Sequence, residues 1–122
     1  MKFNFDTSKA IYMQIIDEIK RSIARGQLKP GDKILSQREM AEVTNVNPNT
    51  VQRAYQEMER SGLIETLRGQ GSFITQNPQL MAEIRSEMTT RALQTFNAEM
   101  TALGYTPEEI QTLVKESITP SN

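Results

Sequence analysis

The chain has 122 residues, 37% of them hydrophobic and 24% charged, and a net charge of −1. That is enough for one modest core and argues against wholesale disorder. The chain contains no cysteine and no histidine, which removes disulfides, thiolate metal sites, a Cys nucleophile and the commonest general base and metal ligand. Hydrolase and metalloenzyme designs become poor fits, and no catalytic residue, metal ion or cofactor is expected. No apolar run reaches the roughly 18 residues that span a bilayer, and MKFNFDTSKA has no apolar signal-peptide core. A cytoplasmic protein without membrane contact is expected. Its charge is uneven: residues 1–76 hold 11 Lys/Arg against 9 Asp/Glu, and residues 77–122 hold 3 against 6. A polyanion would meet the first part.

The first periodic segment is SKAIYMQIIDEIKRSIARGQ. Tyr12, Ile15, Ile16, Ile19 and Ile23 fall on one stripe of an amphipathic helix, with Thr7 or Ser8 as the cap and Gly26 as the end. Lys29-Pro30-Gly31-Asp32 then has the residue order of a type II turn. Ser36 and Glu39 make a capping box for a short second helix over about 37–43, with Leu35 placed to staple onto Met40. Thr44-Asn45-Val46-Asn47 interrupts it. Asn47 as N-cap and Pro48 at the first helical position start a third helix, because the first N–H groups of a helix have no internal partner to lose. Val51, Ala54, Tyr55 and Met58 form its buried side, and Gly62 stops it.

Two short helices after a longer one make a helix-turn-helix pattern. The period then changes. LIETL and SFIT are strand-like runs joined through Arg68-Gly69-Gln70-Gly71, so a β-hairpin wing follows the third helix. After Asn77-Pro78 the helical period returns through Leu80, Ile84, Met88, Ala92, Phe96, Met100 and Leu103, with Leu93 alongside, until Gly104. Thr106-Pro107-Glu108-Glu109 opens a last helix whose apolar side is Ile110, Leu113, Val114 and Ile118. The expected architecture is α+β, mostly α: a winged helix-turn-helix domain over 1–76 and a two-helix hairpin over 77–122. A hairpin of that size buries its own stripe poorly. A second copy of the chain is the simplest partner, with Ile84, Met88, Phe96, Met100, Leu103, Ile110, Leu113 and Val114 as the dimerisation residues. Met81, Met88 and Met100 fit a dimer core better than a ligand cleft.

In a helix-turn-helix the start of the second helix of the motif faces base edges in the major groove. Off the apolar stripe at that point stand Asn49, Thr50, Gln52, Arg53 and Gln56. Asn and Gln pair with adenine, Thr meets a thymine methyl, and Arg reaches guanine or phosphate. Arg38 in the first turn of the second helix and Arg68 at the wing tip are the other candidates for contact with double-stranded DNA. The adjacent carboxylates Asp17-Glu18 and Glu108-Glu109 lie on helix surfaces and suit solubility and helix dipoles better than catalysis. A second reading is a winged-helix module that binds protein and not DNA.

The order of helix, PGD turn and SQREMAEVTNVNPNTVQRAYQEMERSGLIETLRGQGSFI resembles the winged helix-turn-helix domain of GntR-type bacterial transcription regulators over residues 9–76. NPNTVQRAY followed by only two helices resembles the YtrA-like subfamily. The resemblance implies a homodimeric repressor on an inverted-repeat operator, often governing an ABC-transporter operon, with C-terminal helices that dimerise. It places Arg38, Asn47, Asn49, Thr50 and Gln52 at the family's helix contacts with DNA, and Arg68 and Gly69 at its wing contacts. Pro48 and Gln52 stand where many members carry arginine. The sequence assigns no place to a small-molecule effector.

Overall fold

The computed structural model describes residues 3–119; the ends of the two expected domains, residues 1, 2 and 120–122, lie outside them. Five helices and a small antiparallel sheet follow in the order α1 (Ile11–Ala24), β1 (Lys33–Ile34), α2 (Gln37–Thr44), α3 (Pro48–Arg60), β2 (Ile64–Leu67), β3 (Gly71–Ile74), α4 (Pro78–Ala102) and α5 (Pro107–Ile118). The fold is α+β and mostly helical. Two compact units divide it, residues 1–85 and 86–122.

The expected start of α1 is corrected. Ala10 is the N-cap, with no side-chain hydrogen bond. Ser8 is instead drawn into a turn, where its N–H and Oγ–H both donate to the Asp6 carboxylate, at 2.9 and 2.6 Å. Those bonds hold the Asp6 carboxyl below its ordinary value. Gln14 reaches back from the helix, accepting from the Asp6 N–H at 2.8 Å and donating to the Asp6 carbonyl at 2.7 Å. A local polar knot thus sets the start that Thr7 or Ser8 does not cap.

The remaining helix starts follow the expected chemistry. Ser36 accepts from the Glu39 N–H at 3.1 Å while the Glu39 carboxylate accepts from the Ser36 N–H at 3.0 Å. Asn47 accepts from the Asn49 N–H at 2.8 Å, with Pro48 at the first position. Thr106 and Glu109 form a second capping box. Replacing Ser36 with Ala should cost about 1 kcal/mol of stability, the usual worth of a side-chain N-cap. Urea unfolding of the variant checks this, and Ser36→Asp, which caps as well, should restore the midpoint.

The core of the first unit is the inward stripe of three helices closed by the sheet. Ile15, Ile19, Met40, Val51, Ala54 and Tyr55 are fully buried, and Leu63, Ile64 and Ile74 close over them. Tyr55 donates from its hydroxyl to the Leu35 carbonyl, which ties α3 to the chain entering α2. The wing is the expected hairpin, paired Ile64 to Ile74 through Leu67 to Gly71. A third strand was not expected: Lys33 and Ile34 pair with Phe73 and Ser72, giving the order β1-β3-β2. Two residues are too short for a period to declare itself; Ile34 is there because its side chain is buried.

In the second unit α4 ends where Gly104 takes φ +93. The Tyr105 N–H then bonds back to the Met100 carbonyl at 3.2 Å, closing the last turn. Ile110 is buried there, whereas Leu93, Leu103, Leu113 and Ile118 are exposed.

Candidate nucleic-acid interface

The two helices of the motif are held at a fixed turn. Asn45 adopts the left-handed conformation, φ 55 and ψ 38, which an Asn tolerates better than most residues and which ends α2. Thr44 spends its hydroxyl on the Met40 carbonyl at 2.6 Å. Three residues later α3 begins, with Val51, Ala54, Tyr55 and Met58 locked into the core. Its opposite side is therefore presented outward by packing.

Between α2 and α3 lies an open groove of about 680 Å³. Arg38 and Glu42 of α2 and Asn49 and Gln52 of α3 line it, together with Ala41 and Val46. Arg38 and Glu42 form an i,i+4 ion pair at 3.4 Å, with side chains 90% and 67% exposed. Such a pair is weak in water. Its guanidinium stays available to a stronger anion such as a phosphate, with which it makes charge-assisted, bidentate bonds. Backbone and side-chain bonds from Ser36 hold the Glu39 carboxyl below its ordinary value, a fixed negative charge in the first turn of α2.

The expected DNA-contacting residues divide by surroundings. Arg38, Asn49 and Gln52 share the groove. Asn47 already uses its side-chain oxygen as the cap of α3, which leaves its amide NH2 for other contacts. Thr50 is half-buried at the same helix start. Arg53 turns to the other side, where its guanidinium lies 4.0 Å over the ring of Tyr12 and donates to the Tyr12 hydroxyl at 3.4 Å.

Arg68 and Gly69 form the tip of the wing. The Gln70 N–H bonds to the Leu67 carbonyl at 2.9 Å, and Gly69 holds φ +78. That is the third position of a type II turn, which calls for glycine. No heavy atom lies within 4 Å of a Cβ built at Gly69, so its backbone angle and not crowding demands the residue.

The sequence reading passed over Tyr12 as a site residue because its place on the apolar stripe explains it as core. It also passed over Ala41, Glu42 and Val46, which carry no nucleic-acid signature of their own and enter the groove by helix geometry. Among the described residues no group of His, Cys, Asp and Glu is arranged to hold a metal ion, and no helix is long and apolar enough to cross a membrane.

Known proteins share this arrangement. The chain is 48% identical to the HTH-type transcriptional regulator YhcF of Bacillus subtilis over 110 residues, covering 90% of this chain and 91% of that protein. It is 40% identical to the HTH-type transcriptional repressor YtrA of Bacillus subtilis over 111 residues, covering 90% of this chain and 85% of that one. The structure of a GntR family transcriptional regulator from Listeria monocytogenes superposes with a TM-score of 0.85 at 39% identity, over 92% of this chain and 98% of the other. Bacterial regulatory proteins of the gntR family match residues 11–74, the span from the start of α1 to the end of β3. These matches place the chain: it belongs to the YtrA-like branch of the GntR family of DNA-binding bacterial regulators.

Proposed function

We propose that this regulator is a cytoplasmic homodimeric repressor that binds an inverted-repeat operator and governs an ABC-transporter operon. Residues 1–76 act as the DNA-binding domain and residues 77–122 as the dimerisation hairpin. The observation that carries the DNA contact is the shared groove, where Arg38, Asn49 and Gln52 stand together at the start of α3. Asn49, Thr50 and Gln52 read base edges; Arg38, Arg53, Asn47 and the wing residues Arg68 and Gly69 hold the backbone. Dimerisation is supported by apolar side chains left in water, Leu103 at 72% and Ile118 at 75% exposure. Phe96, Met100 and Val114 are half-buried, while Ile84 and Ile110 are already buried within one chain. The repressor sign rests on YtrA, a named repressor, and the transporter operon on resemblance to its subfamily. A small-molecule effector has no assigned place.

A mobility-shift titration against the DNA upstream of the protein's own gene tests the reading. Binding should prefer that fragment over scrambled DNA at physiological salt, and log K should fall linearly with log salt as counterions leave the phosphates. Equal binding to both fragments would sink the proposal. Arg38→Ala should weaken binding to all sequences by a similar factor and lower the salt slope by about one, and Asn49→Ala should change which bases are preferred. A promoter fusion in cells reads the sign of regulation; higher output on adding the protein would overturn the repressor assignment.

A further inference from the structure

Arg53 is the one arginine of α3 near its start, and it does not project freely. Its guanidinium carbon sits 4.0 Å from the centre of the Tyr12 ring. One terminal nitrogen donates to the Tyr12 hydroxyl at 3.4 Å. Tyr12 itself is half-buried on α1, while Arg53 is exposed. The helices that carry them belong to the same compact unit, so the ring is a platform with the cation held over its face.

Two consequences follow from the chemistry of the pair. A guanidinium stacked on a ring and tethered by one nitrogen keeps its other N–H groups for an outside acceptor, and gives up the extended rotamers that reach deep into a groove. Recognition of guanine needs both ends of the fork aimed at O6 and N7, whereas a phosphate oxygen accepts from an edge. Stacking also lowers the entropy lost when the arginine is immobilised, because the platform has already ordered it.

We infer that Tyr12 is a positioning residue for DNA binding, which holds Arg53 as a phosphate clamp beside the base-reading side chains and keeps it from reading bases. This rests on the DNA-binding reading above. It assigns an α1 residue to the interface and a sequence-independent role to Arg53.

A double-mutant cycle on the full-length protein tests the inference, using fluorescence anisotropy with an upstream fragment, a scrambled fragment and a salt series. Arg53→Ala should weaken both fragments by the same factor and lower the salt slope by about one. Tyr12→Leu should weaken both about three- to fivefold, the worth of an exposed cation–π contact. It should have no further effect when Arg53 is already Ala. Tyr12→Phe keeps the ring and should retain most of the affinity, which guards against a variant that merely folds poorly; thermal unfolding of each variant is read alongside. Loss of discrimination at one base pair on Arg53→Ala, with the salt slope unchanged, would overturn the clamp. So would a Tyr12→Leu effect of equal size with and without Arg53, which marks a structural residue. If the wild-type protein shows no preference for the upstream fragment, the DNA-binding reading falls and this inference with it; wild-type preference with an additive cycle overturns this inference alone.

Discussion

Replacing Tyr55 with Ala is expected to cost the first unit about 3–5 kcal/mol, the usual loss for truncating a buried aromatic. Against a total stability of about 5–15 kcal/mol for a domain, that is a large share of what holds the unit folded. The ring is fully buried, among the largest side chains that are, and it lies on α3 between Ala54 and the outward Gln56. Loss of Tyr55 therefore opens a cavity under α3. It also orphans the Leu35 carbonyl that accepts its hydroxyl just before the cap of α2. Tyr55→Phe separates the two effects: it keeps the ring and should cost only the unsatisfied carbonyl, about 1–3 kcal/mol. Urea unfolding followed by circular dichroism gives both values. Equal losses for Phe and Ala would show that packing under α3 contributes nothing.

The same residue predicts a pH dependence. Burial, with a smaller contribution from the Glu39 charge, raises the Tyr55 phenol above its ordinary value. A raised folded value means that the protonated form is favoured in the native state. Its stabilisation is fully present below the unfolded phenol's pKa of about 10 and is lost as pH rises beyond it toward the folded value. Thermal unfolding between pH 8 and 11 should show a decline that is smaller in Tyr55→Phe.

Charging the exposed apolar side of the hairpin is expected to separate the dimer proposed above. Leu103 and Leu113 are 72% and 36% exposed in the single chain, so the double variant Leu103→Glu, Leu113→Glu places carboxylates where one chain alone tolerates them. Two such chains would have to bury four unpaired charges, each costing several kcal/mol. Light scattering should show the mass fall from two chains to one, with the helical circular dichroism unchanged. Affinity for the operator should fall by about a thousandfold or more, toward the non-specific level, because one half-site is no longer bound through the other. Paired mass in the variant would remove the hairpin as the dimer interface. A single-chain mass with full affinity would remove the inverted repeat.

Much of this molecule was legible in its residues because the signals are short-range. Ser36 with Glu39, Asn47 with Pro48 and Thr106 with Glu109 start their helices through bonds made within three residues, and these satisfy the free N–H groups every helix start leaves. The apolar stripe of α3 was legible for the same reason, since period alone assigns Val51, Ala54, Tyr55 and Met58 to the core. Even the wing turn is local, as Gly69 supplies the positive φ its position requires. These features determined a winged helix-turn-helix and most of its outward side chains. Local grammar misled only at α1, where Asp6 competes for Ser8 and leaves Ala10 at the cap.

What the tertiary structure decided depends on residues far apart in the chain. Lys33 and Ile34 become a strand only because Phe73 and Ser72 arrive beside them. Tyr55 finds its acceptor 20 residues away, and Arg53 finds Tyr12 at a separation of 41. Spacing within a helix tells which way a side chain leaves it, and so it placed Arg53 outward. Whether that side chain then enters the groove with Gln52 or lies down on another helix is set by the packing of α1 against α3, which no local pattern encodes.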